Sequence, residues 1–476
     1  MRDWHNLTFL GKAPCLTTST NATLREPPRG MFNVLRNIGP GIVVSGSVIG
    51  SGELINTPKR AAEYGFVILW AVVFACLIKY WLQVELGRYC LANNLTTIQA
   101  LNTLPGPKFR RTHVIPLLYC CSYVLSLATL GGILTATAGL LRDVFGGQVL
   151  VWAFITYVVT IALLYRGIYS TLEVAVSVMV AGFSFSVLFC LLLIQLTDYR
   201  ISLGQIAEGF TFRIPEGAGY AVISLMGALG TTANEMFMYP YWILENGYAK
   251  FVGPRPEVPE PEAIEAWYGR ARGWIHVLKV DAACATAIAT VVTLGYYLTG
   301  AAVLRGREVG GLDVVKDVSR VFTETYGEWS FYLFMFGGFC TLYSTLVVVA
   351  AATGRMGADV YSSLGYMNWN DERKREKVIR TVTIAFLTIW LAMALGIKEP
   401  ANYIAFGQGI NGIINTPLLL IGITFLAFRM DKRLRMGPLG AVCLLASVAV
   451  IALFLKQNLP DAIANMGKVF SGLSGR

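Results

Sequence analysis

Two acidic residues lie inside long apolar segments, each at the end of a short polar stretch. Glu53 ends the run Gly50-Ser51-Gly52-Glu53 in the first apolar segment, and Glu235 ends the run Thr231-Thr232-Ala233-Asn234-Glu235 in the sixth. A carboxylate in lipid is costly unless it faces a cavity or a partner charge. Polar breaks at matching places in two halves of a membrane protein are typical of a site for a transported substrate. We therefore interpret the two breaks as parts of one site for a small ion.

The first of these segments is rich in glycine. Between Gly39 and Gly52 the glycines provide places where the backbone can leave helical geometry and expose its carbonyl groups. Glu53 follows at the start of a second half-helix, where a carboxylate interacts favourably with the helix N-terminus. A bound cation is the larger reason to keep an acid at this depth. Pairing with a buried Lys or Arg is the alternative that stays open.

Polar residues elsewhere in the apolar segments have structural interpretations too. In the tenth segment the stretch from Gly407 to Pro417 is polar and includes Gln408, whose amide can bond across helices. In the second segment we interpret Lys79 with Glu85 as a structural pair, or as side chains that extend to the membrane interface.

The elements that must position these residues are membrane helices. Of 476 residues, 55% are apolar and only 14% are charged, whereas a soluble domain carries roughly 25% charged residues. Apolar stretches long enough to cross a bilayer, about 20 residues each, predict an all-α integral membrane protein with eleven spans. They lie at 38–63, 66–88, 113–141, 149–165, 170–196, 217–246, 274–303, 328–356, 379–396, 399–427 and 437–456.

The broken segments are the first and the sixth of eleven, and this spacing suggests two repeats of five helices. We expect a cytosolic tail at 1–37 and one transmembrane domain at 38–456. Within that domain, repeat one covers about 38–196, repeat two about 217–427, and 437–456 is an extra helix. Lys and Arg concentrate in the loops on the side of the N-terminus, which predicts a cytoplasmic N-terminus and an extracytoplasmic tail at 457–476.

Composition also bears on other functions. The net charge of +10 is spread over loops that face anionic lipid headgroups, so it needs no nucleic-acid partner. The nine cysteines and three histidines show no metal-ligand spacing, and the sequence has no nucleophile and base pair and no phosphate loop. An enzyme is therefore disfavoured, and no cofactor is expected. We expect a monomer in a cell membrane whose partners are lipids and a small inorganic ion.

These residues resemble a known family. The Gly39-Pro40-Gly41 opening, the break eleven residues downstream, the return through Tyr64-Gly65-Phe66 to Leu69-Trp70 and the eleven spans resemble the Nramp family of divalent transition-metal transporters. The resemblance covers the chain from about residue 36 to the last span. It implies a LeuT-type inverted-repeat fold with discontinuous helices 1 and 6, and metal uptake coupled to protons.

The chain departs from the family at its metal-binding motifs. The family's first-helix motif Asp-Pro-Gly-Asn reads Gly50-Ser51-Gly52-Glu53 here, and its sixth-helix Met-Pro-His run reads Asn234-Glu235-Met236. A hard oxygen thus replaces the soft sulfur ligand. Carboxylate and amide oxygens suit Mg²⁺, Ca²⁺ or Mn²⁺ better than thiophilic metals. The resemblance therefore implies a metal set of Glu53, Asn234 and Glu235. Gly50, Ser51, Thr231, Thr232 and Gln408 are the further substrate-binding candidates.

The third segment departs as well. Family members that import metal with protons carry acids there, but this chain has none from Leu117 through Leu141, and the hydroxyls present do not titrate near neutral pH. We therefore expect no proton coupling by this route, although Glu173 in the fifth segment can still titrate.

Two further hypotheses stay open beside a carrier of Mg²⁺ or Mn²⁺. One keeps the fold but takes an anion or small polar solute, held by half-helix N-termini and hydroxyls. The other is a non-transporting sensor, which the lack of any soluble signalling domain disfavours.

Overall fold

The protein is almost entirely helical in its computed structural model, which describes residues 24–39, 50–166, 169–257 and 260–473. The helices of the first half are α1 (Met31–Leu35), α2 (Thr57–Tyr64), α3 (Leu69–Asn93), α4 (Thr97–Asn102), α5 (Val114–Ser126), α6 (Ala128–Phe145), α7 (Val149–Arg166), α8 (Tyr169–Leu193) and α9 (Leu203–Glu208). Those of the second half are α10 (Gly219–Ala228), α11 (Ala233–Glu245), α12 (Tyr248–Val252), α13 (Pro261–Val303), α14 (Val314–Tyr326), α15 (Ser330–Ser363), α16 (Glu372–Ala394), α17 (Pro400–Ile410), α18 (Thr416–Arg429) and α19 (Pro438–Leu473).

Shorter elements complete the architecture. Two strands, β1 (Lys108–Phe109) and β2 (Thr112–His113), form a small antiparallel hairpin in which Lys108 pairs with His113. Short 3₁₀ turns lie at Ile194–Leu196 and Gly311–Asp313, and π-helical turns lie at Gly52–Asn56 and Asn411–Asn415.

Seven helical stretches of the described chain are long and apolar enough to cross a membrane. They are Leu69–Asn93, Val114–Phe145, Pro261–Val303, Ser330–Ser363, Glu372–Ala394, Pro400–Arg429 and Pro438–Pro460. Val149–Tyr165 and Val180–Leu196 are shorter apolar helices, and the sixth segment is interrupted. The count of eleven crossings and the repeat boundaries stay predictions.

The sixth segment is broken, as the sequence predicts. Helix α10 ends at Ala228, α11 begins at Ala233, and Gly230 between them has a φ of +62°, a conformation that favours glycine. In the first segment, residues 40–49 lie outside the described part of the chain, and the helix is described from the π turn at Gly52 onward.

The two π turns share a sequence that explains them. Each turn ends in an Asn that is followed by Thr-Pro, and the backbone N–H of the Thr bonds to the carbonyl five residues earlier, Thr57 to Gly52 and Thr416 to Asn411. Proline has no N–H and its ring collides with the preceding turn of an α-helix, so a wider turn ahead of Pro58 and Pro417 relieves the clash. The motif Ile-Asn-Thr-Pro occurs at 55–58 and again at 414–417.

Glycines allow the central helices to touch. A Cβ at Gly227 of α10 would lie 2.1 Å from the carbonyl oxygen of Gln408, and one at Gly132 of α6 would lie 2.7 Å from the carbonyl oxygen of Pro400. Both partners belong to α17, which therefore packs against α10 on one side and against α6 on the other. This contact fixes the tenth segment beside the break in the sixth.

Helix extends beyond the predicted spans in three regions. Helix α13 begins at Pro261, well before the predicted span at 274, because proline fits the first turn of a helix. Helix α14 occupies a predicted loop, with buried residues at the spacing of one helix face: Val314, Val315, Val318, Val321 and Phe322. Helix α19 continues through Pro460 to Leu473, into the stretch predicted as a tail.

Substituting Gly227 by Ala should destabilise the protein by about 1–3 kcal/mol, because the added methyl group overpacks the contact with α17. Thermal unfolding in detergent measures this as a lowered Tm. Gly269→Ala in α13 is the matched control, since a Cβ there meets nothing within 4 Å. Equal unfolding temperatures for the two variants would contradict the close approach of α10 and α17.

Candidate functional site at the helix breaks

Glu53 lies in the first π turn and is fully buried. Its Oε2 accepts a hydrogen bond from the backbone N–H of Gly50 at 3.1 Å, and its Oε1 accepts one from the hydroxyl of Thr293 on α13 at 3.4 Å. A carboxylate offers about four acceptor positions, so two hydrogen bonds leave it with capacity for a further cation or donor.

Glu235 lies in the first turn of α11 and closes a capping box there. Its Oε2 accepts from the backbone N–H of Thr232 at 2.8 Å, while its own N–H donates to the Thr232 hydroxyl at 3.3 Å. Thr232 and Glu235 both keep partial access to solvent although α11 is otherwise mostly buried. The pattern Thr-x-x-Glu is readable from sequence as a helix start, a signal that the sequence analysis did not use.

Capping alone does not require a charge at Glu235. Two other capping boxes in the described chain, Thr96 with Gln99 and Ser202 with Gln205, use a neutral glutamine in the same position. Since an amide oxygen accepts the hydrogen bond equally well in geometry, the negative charge of Glu235 is available for another role.

Lys79 of α3 is a buried cation that interacts electrostatically with both acids. Its side chain is 3% exposed, its Nζ donates to the carbonyl oxygen of Leu229 at 2.5 Å, and it lies within electrostatic range of Glu53 and Glu235. Glu53 and Glu235 are also within electrostatic range of each other. The structure thus brings the two predicted acids into one region, together with a lysine.

The predicted pairing of Lys79 with Glu85 is wrong. Glu85 forms its ion pair with Arg88, one helical turn away, at 2.8 Å, and Lys79 turns instead toward the break in the sixth segment. Helical spacing places residues on a face but does not say which neighbouring helix that face meets. The signal available in the sequence was a charge at mid-span, which marks a functional residue by default.

Asn234 faces a different set of partners. Its Oδ1 accepts from the hydroxyl of Tyr119 at 2.9 Å and from Asn415 Nδ2 at 3.5 Å, and its Nδ2 donates to Ser126 at 3.4 Å. Asn415 in turn donates to Asn411 at 2.6 Å and accepts from Ser122. These described hydrogen bonds tie α11 to α5 and to the second π turn, and none of them joins Asn234 to either acid.

Gln408 lies against the first break. Its Nε2 is 3.5 Å from the position that a Cβ on Gly52 would take, and the side chain is 4% exposed. Its Oε1 is buried and has no hydrogen-bond partner among the described residues, and the same holds for the Oδ1 of Asn56 in the π turn. Two amide oxygens near Glu53 are therefore free to accept.

The remaining candidates line the breaks with hydrogen bonds of their own. Ser51 is buried beside Gly50, whose N–H is donated to Glu53. The hydroxyl of Thr231 donates to Gln83 Oε1 at 2.7 Å, which leaves its oxygen free to accept. Asn56, Gln83 and Thr293 were not identified from sequence, although the repeated Ile-Asn-Thr-Pro motif marks Asn56.

The atoms available to bind a metal ion at the breaks are oxygens. Within the described chain no group of three or more His, Cys, Asp or Glu side chains is placed to hold a metal ion. A cation here would meet two carboxylates, amide and hydroxyl oxygens and backbone carbonyls, and such a set suits a hard ion that keeps part of its water shell.

A membrane helix interrupted beside a polar centre is a feature of the LeuT-type fold. A manganese transporter of Eremococcus coleocola is similar in structure, with a TM-score of 0.60 and 15% identity over 95% of this chain and 96% of that one. MhsT in complex with L-phenylalanine is similar with a TM-score of 0.58 and 12% identity, over 92% of this chain and 100% of that one. At these identities the likeness shows the fold.

The family itself follows from the sequence match. The protein-family model described as natural resistance-associated macrophage protein-like, Nramp, matches residues 41–458, and this chain belongs to that family. A divalent metal cation transporter MntH of Deinococcus radiodurans is 24% identical over 425 residues, which are 87% of each chain. The members of this family are membrane transporters, so the predictions of the family, of the LeuT-type fold and of a protein that is not an enzyme are confirmed.

Replacing Glu235 separates its two roles. We expect Glu235→Gln to keep the stability of the protein, because glutamine closes the capping box, and Glu235→Ala to lose about 1 kcal/mol, the usual cost of a lost cap. Thermal unfolding in detergent measures both. Thr232→Ala should lose a similar amount, and a stable Glu235→Ala protein would contradict the capping role.

Proposed function

We propose that this protein carries a hard divalent cation, Mg²⁺ first and Mn²⁺ second, across a cell membrane by alternating access. Family membership supports a metal substrate, and the curated relative from Deinococcus radiodurans is a divalent metal cation transporter. The observation that carries the proposal is the pair of acids: Glu53 in the first π turn and Glu235 at the start of α11 lie within electrostatic range of each other. Two carboxylates are costly in this setting unless a cation compensates them.

The donor set favours a hard ion. Beside the acids stand the unpartnered oxygens of Gln408 and Asn56, and the position where the family pattern has a methionine sulfur holds Asn234. Mg²⁺ and Mn²⁺ prefer oxygen ligands, whereas sulfur and imidazole select thiophilic metals. Mg²⁺ binds through one or two carboxylates and keeps several waters, which fits a site with two acids and partial access at Glu235.

Asn234 joins the site in this proposal only after a rearrangement. Its amide oxygen now accepts from Tyr119 and Asn415, so it supports the ion by holding α11 against α5 and the second π turn. Glu53, Glu235 and Gln408 are the residues we propose in direct contact with the ion or its water shell.

Proton coupling by the family's route has no support in this chain. Helices α5 and α6 carry no acid from Leu117 through Leu141, and the hydroxyls of Thr135 and Thr137 donate to backbone carbonyls of their own helix. His113 accepts the N–H of Ile115 and caps the start of α5. Glu173 lies outside the described side chains. We propose a carrier that runs without proton cotransport.

A second candidate substrate is an anion or a small polar solute on the same scaffold. The buried ammonium of Lys79 beside the break favours it. The two acids around that ammonium oppose it, because the region keeps a net negative formal charge with one lysine against two glutamates.

Reconstituted protein tests the metal substrate. In liposomes with internal indicators we expect saturable uptake of Mg²⁺ and, at higher concentration, of Mn²⁺, and a rate lower by about tenfold or more in Glu53→Gln and Glu235→Gln. Glu63→Gln, an exposed acid on α2 paired with Arg60, should transport as the wild type does. If the folded, inserted protein takes up neither ion, the metal proposal is refuted and an anion or small polar solute becomes the favoured substrate.

The absence of proton coupling has its own measurement. With a pH dye inside the liposomes, Mg²⁺ uptake under a clamped membrane potential should leave the internal pH unchanged, because no titratable relay connects the breaks to the third segment. Acidification in step with Mg²⁺ uptake would contradict the proposal and direct attention to Glu173.

A further inference from the structure

The ammonium of Lys79 donates a hydrogen bond to a backbone carbonyl that the break in the sixth segment leaves free. Leu229 is the C-cap residue that follows α10, and its carbonyl oxygen is one of those that leave the helical hydrogen-bond ladder at the break. In transporters with broken helices such carbonyls coordinate the cation. Here the Nζ of Lys79 lies 2.5 Å from it, so an ammonium that belongs to the protein takes the place of an ion.

The charges around Lys79 indicate what a divalent cation would change. Glu53 and Glu235 with Lys79 sum to a formal charge of −1, whereas without the lysine the two acids alone carry −2. A divalent cation neutralises the acids completely, and the lysine charge then becomes surplus in a region of low dielectric. The metal ion and the ammonium of Lys79 therefore compete to compensate the same two carboxylates.

A second position for the ammonium lies beside the first. Lys79 lines a small cavity of about 20 Å³, room for one water-sized group, between α3, α10, α19 and the tenth segment. Thr416 lines the same cavity, is 4% exposed, and its hydroxyl has no hydrogen-bond partner among the described residues. The other lining residues are apolar apart from Gly412, so Thr416 provides the acceptor there. A lysine side chain has four flexible carbons with which to change position.

We propose that Lys79 is a tethered cation that exchanges places with the transported metal. In the empty carrier its ammonium bonds the Leu229 carbonyl and compensates one acid. In the loaded carrier it swings toward Thr416 and frees that carbonyl for the ion. This inference rests on the proposed function, and it gives the empty carrier a way to reorient without a bound proton or a second ion.

Metal binding to purified protein tests the exchange. In calorimetry with Mg²⁺ or Mn²⁺ alone, Lys79→Met should bind about tenfold more tightly than the wild type, because no ammonium has to be displaced. Lys456→Met, an exposed lysine on α19, is the control and should bind as the wild type does. Unchanged or weaker binding by a folded Lys79→Met protein would overturn the proposal and make Lys79 a fixed structural cation.

Thr416 gives an independent test that does not depend on the folding of Lys79→Met. Thr416→Val removes the acceptor and should weaken binding several-fold, while Thr416→Ser keeps the hydroxyl and should bind normally. In the Lys79→Met background the valine substitution should have no further effect, since the two residues act on one step. Equal affinities for the valine and serine proteins, or additive effects in the double variant, would overturn the exchange.

Transport measurements add a signature that a structural role does not give. Lys79→Met should still exchange external for internal metal in loaded liposomes, but its net uptake into empty liposomes should fall about tenfold, because the empty carrier keeps two uncompensated acids. Equal loss of both fluxes would contradict the exchange. A wild-type protein that neither binds nor moves Mg²⁺ or Mn²⁺ would instead refute the proposed function.

Discussion

The structure depends on how the protein satisfies backbone groups where a helix stops inside the membrane. Lipid offers no hydrogen bonds, so each free N–H and carbonyl at a break needs a partner from the protein or from a ligand. Glu53 and Glu235 accept from the freed N–H groups of Gly50 and Thr232, and Lys79 donates to the freed carbonyl of Leu229. The charged groups that make the region a candidate ion site are thus also the partners of backbone groups left free before the first π turn and at the break in the sixth segment.

Fold and chemistry have separate origins in this protein. A manganese transporter with 15% identity has the same fold, yet the positions that resemble the family's metal motifs here read Gly50, Ser51, Gly52 and Glu53, then Asn234, Glu235 and Met236. A scaffold of helix breaks exposes backbone dipoles whatever the side chains are, and the side chains then select the ion.

Much of the fold was readable from the sequence, because apolar length predicts spans and polar, glycine-rich interruptions predict breaks. The break at Gly230 follows the prediction. The partners of Asn234 and Lys79 did not, because each depends on which helix lies opposite, and that is decided by glycine contacts such as Gly227 with Gln408. The capping box at Thr232 was legible in the sequence and was missed.

The two π turns have a mechanical consequence. Closing a π turn to α geometry removes one residue from the wide loop of backbone, and each residue corresponds to about 100° of rotation around the helix axis. In the tenth segment such a change of helical register between Asn411 and Asn415 would turn the amides of one half toward a new neighbour while the other half stays docked. Pro417 opposes closure of the wide turn. The helix therefore has a possible rotation about its axis that neither a straight helix nor a broken one provides.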